Sequence, residues 1–280
     1  MQSFRSLLFV PGARPDRFAK AVASGADAVC IDLEDAVAPK DKDAARKAAL
    51  HFLASSHDAC AVGLRINALS TIEAFRDVIA FADSAAKPSF IMVPKTVSGG
   101  ELYRLRSALA DRCPPLWPLV EGPGALNALS DIAAAAAPAG GVMLGGVDYA
   151  AAIGAELVWD ALWHVRASIV AATAAAGCAS VDAPYLNVED HAGLEAETRR
   201  VRAMGFGGRA CIHPAQIEVI NRMFTPSAAE ISKAETIAAA FAAADGGVTL
   251  VHGELVEKPV NAAAARILAA KKSGIGGRDS

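Results

Sequence analysis

Short apolar runs that stop at a turn residue or a charge recur along most of the chain. Each is followed by a longer amphipathic or alanine-rich stretch. The run from Ser6 to Val10 ends at Pro11-Gly12 and precedes a helical pattern from about Pro15 to Ser24. A second run, Ala28 to Leu33, opens into Glu34-Asp35, with a helix from Lys40 to Leu53 behind it. The same alternation puts strands at Cys60 to Ile66, Phe90 to Val93, Leu116 to Glu121, Val142 to Asp148, Ser180 to Ala183 and Ala210 to His213. Helices are expected near Thr71 to Asp83, Gly100 to Asp111, up to Ala137, Trp159 to Ala176 and Leu194 to Met204. The strand-like runs are continuous rather than alternating, which indicates strands buried on both faces, as in parallel α/β sheets. Eight such units predict a (β/α)8 TIM barrel over a doubly wound sheet. No G-x-G-x-x-G follows the first strand and no P-loop occurs, so an open nucleotide-binding sheet lacks its usual support.

Beyond His213 the pattern changes. A helix from Pro226 to Ala244 leads through Gly246-Gly247 to two short apolar runs around His252-Gly253, read as a hairpin, and a last helix spans Pro259 to Lys271. The expected organisation is therefore a catalytic barrel over 1–222, an extension over 223–272 serving as a lid or subunit contact, and a disordered polar tail at 273–280.

Composition narrows the classes further. With 280 residues, 53% of them apolar, the chain can bury a large core. A net charge of −3 without a basic tract argues against nucleic-acid binding. Five scattered cysteines without a C-x-x-C pair suit reduced thiols better than disulfides or zinc. Leu7 to Val10 is too short a run for a signal peptide or a membrane span, so a soluble, cytoplasmic protein is expected.

Residues at the carboxyl ends of barrel strands face the active site, and here those ends carry Asp32, Glu34, Asp35, Arg65, Asn67, Lys95, Glu121, Asp148 and His213. Glu121 follows four apolar residues and precedes Gly122-Pro123-Gly124, and Asp148 sits one strand-plus-helix repeat later. On adjacent parallel strands the two acids would emerge roughly 5 Å apart, where they repel unless they share a cation. Mg²⁺ suits them because it takes one or two carboxylates and keeps positions for water and substrate oxygens. The alternative for Glu121 is a carboxylate that stabilises the next helix's amino end. Arg65 can bind a substrate carboxylate and stabilise developing negative charge, or fasten two strands by pairing with Asp32, Glu34 or Asp35. Those three acids are read as outer-sphere groups that order metal-bound water or Arg65. Lys95 is either an electrostatic group of the site or a structural ion pair, and as a Schiff-base nucleophile it defines the rival metal-free aldolase. His213 is equally a structural or a site histidine.

These residues lie in motifs that resemble a known family. Arg5-Ser6-Leu7-Leu8-Phe9-Val10-Pro11-Gly12, Asp32-Leu33-Glu34-Asp35-Ala36-Val37, Arg65-Ile66-Asn67, Glu121 with Gly-Pro-Gly, Val147-Asp148 and Cys211-Ile212-His213-Pro214-Ala215-Gln216-Ile217 are similar to citrate lyase beta-subunit-like proteins. Those proteins belong to the HpcH/HpaI aldolase/citrate lyase superfamily, with malyl-CoA and citramalyl-CoA lyases among their relatives. The resemblance implies a Mg²⁺-dependent lyase that splits a 3-hydroxy-3-carboxyacyl-CoA thioester into a 2-oxo acid and an acyl thioester. It implies Glu121 and Asp148 as metal ligands, with Glu121 also beside the substrate, Arg65 as the catalytic and substrate-binding arginine, and Phe9, Arg14 and Lys20 as contacts to CoA. It also implies a homotrimer or hexamer. Glu257 stands where the family has a catalytic aspartate, one methylene longer, and Gly208-Arg209 stands where the family has glycine-lysine. The alternatives are an aldolase on free hydroxy-diacids and a catalytically weak paralogue.

Overall fold

The computed structural model describes residues 4–55, 57, 59–137 and 139–272 of the chain, so the tail expected at 273–280 lies outside the described residues. Eight strands form one closed parallel barrel in sequence order: β1 Ser6–Pro11, β2 Ala28–Asp32, β3 Ala61–Arg65, β4 Ile91–Val93, β5 Leu116–Val120, β6 Gly141–Leu144, β7 Ala179–Asp182 and β8 Gly208–Cys211. Pairing of Leu7 with Ala210 closes β8 onto β1, and helices connect consecutive strands. The chain is a TIM barrel, as its run pattern predicts.

Burial explains why the strands read as unbroken apolar runs. Leu7, Cys30, Met92, Trp117, Leu119, Met143, Val181 and Ala210 pack together inside the barrel. Their neighbours Val29, Ile31, Leu64 and Ile91, on the other faces of the same strands, are equally inaccessible. Aromatic side chains fill the barrel's interior: Phe4 stacks on Trp117 at 5.3 Å and meets Phe90 at 5.5 Å. Gly63 makes room for this plug, since a Cβ there would stand 2.3 Å from the Phe90 ring. The helices carry ordinary start signals, such as the Thr71 hydroxyl accepting from the Ala74 N–H and Asp190 accepting from the Gly193 N–H.

Two elements depart from the expected pattern. The run from Val142 to Asp148 is not one strand: β6 stops at Leu144 and a helix, Gly146–Ala152, begins at once. Asp148 therefore sits in the first turn of a helix rather than on a strand end. A further helix, Ile217–Phe224, occupies the stretch after β8 that carried no assignment.

By internal contacts the chain divides between Asn221 and Arg222. The second unit contains a helix, Ala228–Ala243, opened by a capping box between Ser227 and Glu230. Its antiparallel hairpin joins β9 Thr249–Val251 to β10 Glu254–Val256, and a helix Lys258–Lys272 follows. A small core of Ala234, Ile237, Val256 and Ala264 holds it together. Among the described residues no helix is long and apolar enough to cross a membrane.

The barrel plug yields a stability prediction. Phe90→Ala should destabilise the protein by about 3–5 kcal/mol, because a fully buried ring leaves a cavity among packed neighbours. Phe75→Ala, at a ring that is 60% exposed, should shift stability by no more than about 0.5 kcal/mol. Urea unfolding of both variants checks this, and equal losses would remove the interior aromatics from their structural role.

Candidate active site at the carboxyl end of the barrel

Register places the candidate residues at one end of the sheet. Asp32 pairs with Arg65 across β2 and β3, and Val120 pairs with Leu144 across β5 and β6. Glu121 thus follows β5 beside Gly145, which follows β6, and Asp148 comes one helical step later. The structure brings Asp32, Glu34, Asp35, Arg65, Lys95 and Glu121 into one network, with the Asp148 charge acting on Glu121.

Arg65 is the hub. Its Nε donates to Asp32 Oδ1 at 2.6 Å and its Nη2 to Asp32 Oδ2 at 2.7 Å, a forked pair across adjacent strands. Its Nη1 faces Glu34 Oε2 at 3.1 Å and Asp35 at 3.5 Å. The fork expected to meet a substrate carboxylate is thus occupied by Asp32, and the edge turned elsewhere is Nη1. The guanidinium also lies over the Phe9 ring, 5.2 Å from its centroid. Phe9 is half-buried beneath Arg65, whereas Arg14 and Lys20 are exposed and Arg14 pairs with Asp16 at 2.8 Å.

Lys95 ties the acids together from two directions. Its Nζ donates to Glu34 Oε1 at 2.6 Å, and its backbone N–H donates to Glu121 Oε2 at 2.5 Å. The second contact requires a left-handed backbone, φ +51°, which is uncommon for a residue bearing a side chain and is a form of strain that gathers at functional sites.

Glu121 is only 6% exposed. Burial first, and the Glu34 charge second, push its carboxyl up to about 7; the Lys95 N–H opposes this and the Asp148 charge adds to it. Burial likewise raises Glu34 above the usual carboxylate range, against the pull of Arg65 and Lys95. Glu34 Oε2 is close enough to Arg65 to pair but lacks a hydrogen bond. Gly145 accommodates this crowding: a Cβ there would lie 2.2 Å from Glu121 Cγ, so the carboxylate lies where a side chain on β6's end would stand. Four carboxylates, Asp32, Glu34, Asp35 and Glu121, share Arg65 and Lys95, with Lys42 held at 2.8 and 2.7 Å on the backbone carbonyls of Leu33 and Glu34. An excess of buried negative charge and two acids on neighbouring connections suit a hard divalent cation. Among the described residues no three His, Cys, Asp or Glu side chains form a ready metal cage, so Glu121 and Asp148 are the donors to consider.

Other candidates separate from this network. Asn67 is a structural clamp, donating to Asp77 from both its backbone and side chain and accepting from Lys42 Nζ at 2.6 Å. His213 is exposed and caps the turn after β8, its Nδ1 accepting from the Ala215 N–H. Glu257 belongs to the second unit, exposed between β10 and the last helix. Sequence reading missed a buried second network: Arg166 forks onto Asp182 at 2.9 and 3.2 Å, and Arg209 reaches Glu197, the Thr198 hydroxyl and the Ala183 carbonyl. Three buried charges, Asp182 at the end of β7, Arg209 within β8 and Arg166 on the helix Trp159–Ala176, hold the last strands in place, and only the break in apolar character at Asp182 and Arg209 hinted at them.

Comparisons with known proteins agree with the barrel fold. A family model described as HpcH/HpaI aldolase/citrate lyase matches residues 5–214, and one described as C-C bond lyase of the TIM-barrel fold matches 157–274. A (3S)-malyl-CoA thioesterase of Cereibacter sphaeroides is 38% identical over 264 residues, covering 91% of this chain and 90% of that protein. An L-malyl-CoA/beta-methylmalyl-CoA lyase of the same organism is 32% identical over 285 residues, covering 90% of each. Among solved structures, protein CitE from Mycobacterium tuberculosis in complex with magnesium, acetoacetate and coenzyme A superimposes with TM-score 0.82 at 34% identity, covering 95% of this chain and 97% of that one.

The electrostatics of Glu121 predict a pH effect on the metal-free protein. Its carboxyl titrates near 4.5 when free and about 7 when folded, so folding favours the protonated form. That stabilisation is fully present below the free value and is lost as pH rises through about 7. In EDTA, melting temperature should fall from pH 5 to pH 8 by more in the wild type than in Glu121→Gln. Parallel curves for the two proteins would contradict the buried, destabilised carboxylate.

Proposed function

Because the chain belongs to the HpcH/HpaI aldolase/citrate lyase family, we propose that it is a Mg²⁺-dependent carbon–carbon lyase. Its substrate would be a 3-hydroxy-3-carboxyacyl-CoA thioester of the malyl or citramalyl kind, and its products a 2-oxo acid and an acyl-CoA. The observation that carries the reading is the placement of Glu121, Asp148 and Arg65 at one end of the barrel, with Glu121 and Arg65 tied into one network through Lys95 and Glu34. Mg²⁺ held by Glu121 and Asp148 would supply Lewis-acid polarisation of the substrate's hydroxyl and carboxylate oxygens.

The chain's own groups do the rest. Arg65, kept charged by Asp32 and Glu34, directs Nη1 toward charge that develops on a substrate oxygen. Asp32 fixes the plane of that guanidinium, and Phe9 covers one of its faces. Loss of the hydroxyl proton lets the bond between the hydroxyl-bearing carbon and its neighbour break. Its electron pair passes to the thioester enolate, which then takes up a proton. Arg14 and Lys20, exposed beyond β1, offer cations to CoA phosphates. Glu257 is the candidate acid–base residue by its place in the family pattern, and the working form is a trimer or hexamer.

A second reading has one specific observation in its favour: a relative of higher identity is a thioesterase rather than a lyase. Hydrolysis would release free CoA thiol, whereas cleavage would release a 2-oxo acid with the thioester intact. Incubation of malyl-CoA and citramalyl-CoA with enzyme and Mg²⁺, assayed for both products, separates the two. The lyase reading expects 2-oxo acid first and in excess of thiol, and thiol without 2-oxo acid would overturn it. Arg65→Lys should lower kcat/KM by roughly 10²–10³. Glu121→Ala should abolish Mg²⁺ binding in calorimetry, and unchanged binding would remove the metal from Glu121.

A further inference from the structure

Lys95 was expected to be either a group of the site or a structural ion pair, and its geometry gives it a more particular task. It contacts two acids through two different atoms: the backbone N–H meets Glu121 Oε2, and Nζ meets Glu34 Oε1, with Asp35 Oδ1 at 3.6 Å from the same ammonium. Lys95 makes both contacts from a left-handed backbone at φ +51°. Asp77, Arg46 and Lys42 stabilise the framework elsewhere, but none of them contacts Glu121 among the interactions seen.

One residue, Lys95, meets both Glu34 and Glu121, so Glu34 is an acid close to the ion site. Both of its oxygens are nevertheless turned to cations, Oε1 to Lys95 and Oε2 to Arg65. A carboxylate held in this way is withheld from a metal.

We propose that Lys95 sets the number of carboxylates the cation site can use, and through that number its preference for Mg²⁺ over Ca²⁺. The ammonium holds Glu34 and Asp35 away, which leaves Glu121 and Asp148, while the backbone N–H orients Glu121. Mg²⁺ is satisfied with one or two carboxylates and several waters, whereas Ca²⁺ gains from each additional oxygen ligand. Lys95 is thus a positioning and selectivity residue. This inference rests on the assignment of Glu121 and Asp148 as metal ligands.

The test is calorimetric titration of Mg²⁺ and of Ca²⁺ into the wild type, Lys95→Met, Lys95→Gly and Lys95→Arg, with melting curves to show each is folded. Lys95→Gly relieves the left-handed strain and keeps the N–H, so it stays folded if bulk at this position is dispensable; Lys95→Met keeps the bulk. In both, Mg²⁺ should bind about fivefold tighter and Ca²⁺ at least about tenfold tighter, because a positive charge leaves and a third carboxylate is released. Lys95→Arg should restore wild-type affinities for both ions. Wild-type affinities in Lys95→Met and Lys95→Gly, or weaker binding, would overturn the selectivity role while the metal site stands. Failure of the wild type to bind Mg²⁺ at all would overturn the metal assignment and this inference together.

Discussion

A carboxylate at the end of β5 is almost stripped of water, and the surroundings of Glu121 are arranged around that fact. Burial and the nearby charge of Glu34 both favour its protonated form. The backbone N–H of Lys95, in a left-handed conformation, and the Arg65 charge oppose them. Gly145 yields the space its side chain fills. A divalent cation would resolve this conflict, because it favours the ionised form that burial disfavours.

The remaining charges form a second tier around that site. Asp32 orders Arg65, Arg65 and Lys95 order Glu34, and Lys42 secures the loop carrying Glu34 through its carbonyl oxygens. Forked pairing fixes the guanidinium plane but also occupies two of its donors, so Arg65 meets any anion through Nη1. An arginine that must stay charged and still while charge appears beside it is served by this arrangement. The second network, Arg166 and Arg209 with Asp182 and Glu197, does for the late strands what Arg46 and Asp77 do for the early helices.

The barrel was legible because strands buried on both faces must be written as unbroken apolar runs, and eight of them recur with helices between. Glu121 and Arg65 stood out because each ends such a run with a charge. Asp148 was legible as a residue but not in its place. Gly145-Gly146-Val147 continues the apolar run of β6, so nothing in the local pattern marks where the helix begins. The left-handed backbone of Lys95 carried no signal, since the residue is neither glycine nor asparagine and the conformation is imposed by what it contacts. Arg166 and Arg209 were hidden for a related reason: their partners lie on other elements, and pairing across a fold has no periodicity. The resemblance implies Phe9 as a CoA contact, and nothing in its local pattern showed that its ring lies against Arg65.

The central claim is that a divalent cation sits on Glu121 and Asp148 and meets a 2-oxo acid there. The most direct measurement is a crystal grown with Mn²⁺ in place of Mg²⁺ and with pyruvate, examined by anomalous scattering. The account predicts one strong peak bonded to carboxylate oxygens of both residues, at roughly 2.2 Å, with pyruvate oxygens completing its shell and Glu34 still on Lys95. A peak elsewhere, or none at these two acids, would contradict it.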